Sequence, residues 1–126
     1  MNRWGTGVFE SDSALDFLWI LNDNLMKQIV FYIADESLIG WWIARYEEGI
    51  AAADLLALWC EKSGSSEGIH KKNVIRWREL YLQRFETDPQ WDNALTPDGL
   101  DARTERRKVI EATFDRLEAV AMDDED

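Results

Sequence analysis

The residues that could carry out catalysis are few in this chain, which has one histidine, His70, and one cysteine, Cys60. Nucleophilic catalysis needs a nucleophile, a base and a stabilising group within reach of one another, and no motif of that kind accompanies either residue. Cys60 follows Trp59 in an apolar segment, which is typical of a buried thiol. One histidine and one cysteine also exclude the usual zinc ligand sets. The sequence therefore predicts a protein that is not an enzyme, with no catalytic residue, no metal ligand and no cofactor.

Carboxylates keep one alternative open. Asp12 and Asp16 lie one helical turn apart, and with Glu47 and Asp54 they could serve a carboxylate- or metal-dependent hydrolase. The sequence lacks both the spacing of a calcium loop and the Glu-x-x-His pair of helical metal sites. Charged residues at helical spacing are usually a solvated face. We keep this enzyme class as an alternative.

A basic run over residues 103–108 raises the question of nucleic-acid binding. Acids at Asp98, Asp101, Glu105 and Glu111 interleave with the bases, and they cancel the field that a phosphate backbone needs. The run therefore predicts a salt-bridged helix surface and no nucleic-acid partner.

The elements that would position these residues follow from the spacing of apolar side chains. Ser11-Asp12-Ser13 predicts a helix start, and the helix continues to about residue 33 with a kink or break at 22–24. Gly49 is expected to separate two further helices. Trp4, Val8 and Phe9 are expected to fold back onto the core. The remaining helices are expected at about 38–48, 50–62, 70–86 and 98–122.

Three of these segments show apolar stripes. The stripes are Ala51, Leu55, Leu58 and Trp59; Val74, Trp77, Tyr81 and Phe85; and Ile110, Phe114, Leu117 and Ala121. No segment alternates as a strand would. The sequence predicts an all-α fold, a single compact bundle of four to five helices over residues 1–122, with an acidic tail at 123–126.

The negative charge is concentrated in the first half of the chain. The net charge is −11, and residues 1–68 carry four Lys and Arg against eleven Asp and Glu. Aromatic residues rimmed by acids suit a basic protein partner. The residues predicted to bind such a partner are Asp35, Glu36, Trp41, Trp42, Glu47 and Glu48. An alternative places both tryptophans in the core or in a subunit interface, so the sequence leaves open whether the protein is a monomer or a dimer.

The expected location is the cytoplasm. No apolar h-region follows Met1, and no apolar run approaches the roughly 20 residues that span a bilayer. A single cysteine suits a reducing compartment. The negative charge disfavours an anionic membrane surface, so we expect no membrane partner.

The opening residues 4–18, Trp-Gly-Thr-Gly-Val-Phe-Glu-Ser-Asp-Ser-Ala-Leu-Asp-Phe-Leu, resemble the start of a bacterial family of unknown function. Members of that family begin Trp-Gly-x-Gly-x-Phe-x-Asn-Asp-x-Ala-x-Asp. Here Ser11 stands where asparagine is usual. The alanine-rich stretch 48–57 also resembles the second block of that family. The resemblance covers about the first half of the chain and implies a helical cytoplasmic bacterial protein with no assigned reaction.

Small acidic helical proteins of this size also include immunity proteins of contact-dependent inhibition toxins. That similarity is one of size, charge and class, and it carries over no binding residue. We therefore expect an immunity protein, or antitoxin, that neutralises a basic toxin domain of the ribonuclease kind by covering it with an acidic surface. The alternatives are the carboxylate- or metal-dependent enzyme and a homo-oligomeric scaffold.

Overall fold

The computed structural model describes residue 8, residues 11–34 and residues 47–124. Four α-helices account for most of them: α1 (Asp12–Ile29), α2 (Glu47–Ser63), α3 (Lys71–Thr87) and α4 (Ala102–Val120). A π-helical turn, Val30–Ala34, extends α1, and a 3-10 helix, Pro89–Trp91, follows α3. The described residues contain isolated β-bridges and no strand. The all-α prediction is confirmed. The helix expected at 38–48 falls largely on residues outside this description.

Two helices begin where a short polar side chain caps their free N–H groups. The Ser11 hydroxyl accepts a hydrogen bond from the Ala14 N–H at 3.3 Å, as the predicted helix start requires. The Asp101 carboxylate accepts from the N–H and the hydroxyl of Thr104. These bonds lower the pKa of Asp101, because they stabilise its ionised form. The last helix therefore begins at Ala102, a few residues after the predicted start.

The helices form a ring around one core. Helix α1 packs on α2, α2 on α4 and α4 on α3, and the π-helical turn closes the ring by touching both α2 and α3. Aromatic side chains fill the centre, with the rings of Tyr81 and Phe114 6.0 Å apart. The predicted stripes of α3 and α4 are both buried, as expected.

The inner face of α2 is built mostly from small residues, and the predicted stripe of this helix is wrong. Ala51, Leu55 and Leu58 are exposed, and Trp59 is only half-buried. The buried face consists of Gly49, Ile50, Ala52, Ala53, Leu56, Ala57 and Cys60. The apolar spacing is helical, but Leu55 and Leu58 lie on the outer side, and the large apolar residues of the buried face are Ile50 and Leu56.

Gly49 lies inside α2 and does not separate two helices, as the sequence had suggested. A Cβ atom at this position would lie 2.5 Å from Cγ1 and 2.7 Å from Cδ1 of Ile33. Ile33 is fully buried in the π-helical turn. Glycine therefore stands here because the turn packs directly on the α2 backbone.

Helix α1 runs without a break through residues 22–24. Asn22 is 2% exposed, and its Oδ1 has no hydrogen-bond partner among the described residues. The tertiary contacts of α1 thus override the weak helix propensity of this segment. Val8, expected to fold onto the core, is 80% exposed. Trp4 and Phe9 lie outside the described residues.

The end of the chain packs against the start of α3. The Lys71 N–H donates to the Met122 carbonyl, and the Met122 N–H donates to the Ile69 carbonyl. The Asp124 carboxylate accepts from the Lys72 N–H, and Asp123 forms an ion pair with Lys71. These contacts satisfy N–H groups in the first turn of α3, whose N-cap residue, His70, makes no side-chain capping bond.

Substitution of Gly49 tests whether α2 depends on close backbone contact. A glycine-to-alanine change inside a helix normally gains about 0.5–1 kcal/mol. Here we expect Gly49→Ala to lower the free energy of unfolding by about 1 kcal/mol or more, because overpacking a rigid core costs about 1–3 kcal/mol. Urea titration of both proteins measures the difference. Ala51→Ser, on the exposed side of the same helix, is the control, and a more stable Gly49→Ala variant would contradict this packing.

Candidate functional site

Of the six residues predicted to bind a partner, the structure describes two. Glu47 and Glu48 form the first turn of α2, where carboxylates suit the positive end of the helix dipole. Glu48 is exposed and Glu47 is half-buried. Asp35, Glu36, Trp41 and Trp42 lie outside the described residues, so their place in the site stays a prediction.

Glu47 is held by a partner within the fold. Its Oε1 atom lies 3.7 Å from Nη2 of Arg106 in α4. The Arg106 guanidinium also lies over the ring of Trp91, 5.9 Å from its centroid. Glu47 therefore helps to join α2 to α4. Glu48, the next residue in the same turn, is exposed.

The basic run at 103–108 is tied into the fold by Arg103. Its guanidinium donates to the carbonyls of Phe85, Glu86 and Asp88 at 2.6, 3.1 and 2.8 Å, and to the Asp92 carboxylate at 2.7 Å. These carbonyls end α3, where free acceptors and the negative end of the dipole favour a cation. The predicted salt-bridged surface is confirmed. Of the four acids named from sequence, however, only Glu105 forms an ion pair with the run, because the other partners come from distant segments.

Other arginines also join helices. Arg116 of α4 pairs with Asp54 and Glu61 of α2, at 3.0 and 2.7 Å. Arg78 of α3 pairs with Asp115 and Glu118 of α4, at 2.9 and 3.0 Å. Much of the positive charge is thus neutralised between helices. In contrast, several acids make no ion pair within the described part of the chain: Asp16, Glu67, Glu79, Asp98 and Glu111.

Large apolar side chains are exposed on the outer sides of α1 and α2. The exposed fractions are 61% for Phe17, 54% for Ile20, 48% for Leu55 and 47% for Leu58. We call these four residues the outer face. The two residues on each helix are three positions apart and therefore share a side of the helix, and that side is not the buried one. Leu18 and Ile29 define the buried side of α1. Sequence periodicity could find the helices but could not tell which side would be exposed.

A second apolar surface is the groove between α1 and α3. Its volume is about 460 Å³, and its apolar lining comes from Met26, Val30, Phe31 and Trp77. Asp23, Lys27 and Asn73 complete the lining, and Asp23 and Lys27 pair at 2.8 Å. The π-helical turn supplies Val30 and Phe31, and such turns often accompany functional positions in helices. The groove carries one acid and one base, so its own charge selects no partner.

The chemistry-bearing residues are dispersed. Burial, together with the adjacent Glu61 carboxylate, raises the pKa of the Cys60 thiol to about 11, so it is a poor nucleophile at neutral pH. Among the described residues, no three His, Cys, Asp or Glu side chains cluster as a metal ion would require. Of the four carboxylates of the enzyme alternative, Glu47 and Asp54 are held by arginines of α4, and Asp12 and Asp16 lie on α1.

No helix in the described part of the chain is both long enough and apolar enough to cross a lipid bilayer.

The fold and the surface define an acidic, all-α protein whose exposed features are carboxylates and apolar side chains. The chain belongs to a family described as a domain of unknown function (DUF4259), whose model matches residues 2–125. Membership in a family of unknown function agrees with the resemblance seen in the sequence, and the match extends through the second half of the chain. No curated protein and no solved structure matches the chain.

Replacement of Arg103 tests whether the basic run is structural. We expect Arg103→Met to cost about 2–3 kcal/mol of unfolding free energy, because hydrogen bonds from a charged donor contribute roughly 1.5–3 kcal/mol. Arg103→Lys should recover less than half of the loss, since an ammonium group cannot fork across several acceptors. Lys108→Met, which removes an exposed pair, should change the stability by no more than about 0.5 kcal/mol. Denaturant unfolding measures these changes. Equal losses of stability in Arg103→Met and Lys108→Met would refute the structural role of Arg103.

Proposed function

We propose that this protein binds and neutralises a basic partner protein, and that the partner is a nuclease toxin domain for which it acts as the immunity protein. The observation that carries the proposal is the division of charge. The chain has a net charge of −11, and Arg78, Arg106 and Arg116 are engaged in ion pairs between helices.

The charge of a nuclease toxin explains why an acidic protein would bind it. A nuclease must attract phosphate, so its substrate cleft is basic. An acidic protein is drawn to such a cleft, and complementary charge raises the rate of encounter. Covering the cleft excludes the nucleic acid without any reaction by the inhibitor. The proposed function therefore requires no catalytic residue and no cofactor.

The structure describes only some of the predicted binding residues, and these differ in their contacts. Glu48 is exposed in the first turn of α2. Glu47 contacts Arg106, so its replacement would also loosen the contact between α2 and α4. Asp35, Glu36, Trp41 and Trp42 are proposed as contributors from the sequence alone.

The alternatives make different demands. A homo-oligomeric scaffold could use the outer face, but two copies would each bring a net charge of −11 to the contact. The carboxylate enzyme would need Glu47 and Asp54 to leave their arginine partners. Neither alternative is favoured by a specific feature of the described residues.

The function is tested by isolating the partner and measuring its activity. Tagged protein is used to capture partners from the native host, and mass spectrometry identifies them. We expect one basic protein with nuclease activity that is lost when one equivalent of this protein is added. Captured proteins that are acidic, or nuclease activity unaffected by excess protein, would contradict the proposal.

Charge variants then test the binding surface. We expect the triple change of Asp35→Asn, Glu36→Gln and Glu48→Gln to slow association by roughly threefold to tenfold and to flatten its salt dependence, since surface charges act mainly on the association rate. The matched control is Glu79→Gln, Asp98→Asn and Glu111→Gln, three acids of the second half that form no ion pair among the described residues. Equal slowing by both triple variants would show that net charge matters and that the assigned residues do not.

A further inference from the structure

We infer that the outer face of α1 and α2 is a docking surface for a basic, amphipathic segment of a partner protein. This inference rests on the proposed function and names the surface and the chemistry of its occupant. The face consists of Phe17 and Ile20 on α1 and of Leu55 and Leu58 on α2, all about half exposed or more.

Helices α1 and α2 pack on one another, and each presents two of these residues on its exposed side. On α1, the flank that bears Met26, Lys27 and Val30 lines the groove against α3. On α2, the flank that bears Asp54 and Glu61 is taken by Arg116 of α4.

The other flanks of α1 and α2 are not taken by these contacts, and the two helices pack on one another. Helical spacing places Leu21 and Trp59 on these flanks, and both are half-buried. Leu21 and Trp59 thus add partly exposed apolar surface beside the four residues of the outer face.

The charged residues on the helices of the outer face are mostly acidic. Helix α1 carries three acids, Asp12, Asp16 and Asp23, and a single base, Lys27, which is already paired with Asp23. At the other end of the face, Glu48 lies exposed in the first turn of α2. A partner that covers these four apolar side chains must bring its own atoms close to several carboxylates. Charge complementarity therefore selects a segment bearing Lys or Arg beside its apolar residues.

The same charge argues against a second copy of this chain as the occupant. Two copies that met through the outer face would bring Asp12, Asp16 and Glu48 of each into one contact, and like charges brought together at an interface are unfavourable. A basic amphipathic helix meets the apolar and the charge requirement together. Binding of an amphipathic helix through its apolar face is a common mode of protein recognition.

A defined peptide tests the surface without the toxin. The probe is an 18-residue helical peptide of leucine and lysine with all leucines on one face, and its binding to the full chain is measured by fluorescence anisotropy. We expect Phe17→Ser with Leu55→Ser to weaken binding at least tenfold. The matched control is Ile75→Ser with Val109→Ser, which removes side chains that are 41% and 50% exposed on α3 and α4. It should stay within twofold of the unaltered protein.

The charge of the surface is tested with the same peptide. Asp16→Asn with Glu48→Gln should weaken binding more than Glu79→Gln with Glu111→Gln, and the difference should disappear at high salt. Circular dichroism and the thermal midpoint identify variants that have lost their fold, and further pairs with Ile20→Ser or Leu58→Ser replace any such variant.

Several outcomes would overturn the inference. They are no binding of the peptide to the unaltered protein, equal loss in the face and control variants, or a homodimer in light scattering that Phe17→Ser dissociates. Because the peptide assay contains no toxin, it fails or succeeds separately from the neutralisation assay. Loss of peptide binding in the face variants together with full toxin neutralisation by them would retain the proposed function and reject this surface as its site.

Discussion

The close packing of α2 against its neighbours is the constraint on which the arrangement of the molecule depends. Helix α2 lies between α1 and α4 and touches the π-helical turn, and its inner face is made mostly of glycine, alanine and cysteine. At Gly49 the turn approaches the backbone so closely that no side chain fits. Because most side chains on the inner face of α2 are small, larger residues of the other helices fill the core, such as Tyr81, Phe85 and Phe114.

The same constraint shapes the surface. Leu55 and Leu58 of α2 lie on the side of the helix away from the packed face and are exposed, whereas Ile50 and Leu56 are its large buried residues. The positive charge also lies partly at contacts between helices. Arginines of α3 and α4 connect helices through ion pairs and helix-end carbonyls, which places positive charge at contacts within the fold. The described surface combines exposed apolar side chains with acids that make no ion pair, and this combination is what a basic protein partner could recognise.

Sequence reasoning predicted the features that depend on local pattern. The fold class, the Ser11 cap and the buried stripes of α3 and α4 follow from propensity and spacing, and the structure has them. The predictions from sequence were wrong for features that are decided by contacts between helices. A helix with apolar residues on two sides does not reveal which side is buried, so the stripe of α2 was assigned to the exposed side. A glycine in a helical pattern suggests a break, but Gly49 instead marks the close approach of Ile33 to the backbone of α2.

The candidate site could be predicted only in part for a related reason. The excess of acids in the first half is visible in the sequence, and Glu48 is exposed as a binding residue should be. The pairing of Glu47 with Arg106 joins residues far apart in the chain, and no local pattern signals it. The outer face was missed because Phe17 and Ile20 look like ordinary members of an apolar helix until the buried side of α1 is known.

The central claim is that the outer face of α1 and α2, with its neighbouring acids, is the surface that meets a basic toxin domain. Hydroxyl-radical footprinting of the free and toxin-bound protein tests it most directly, because the oxidation of exposed aromatic and aliphatic side chains is read residue by residue. The account predicts that Phe17, Ile20, Leu55 and Leu58 are oxidised in the free protein and protected in the complex, while Ile75 and Val109 stay equally reactive. Protection of Ile75 and Val109, with the outer face still fully reactive, would contradict it.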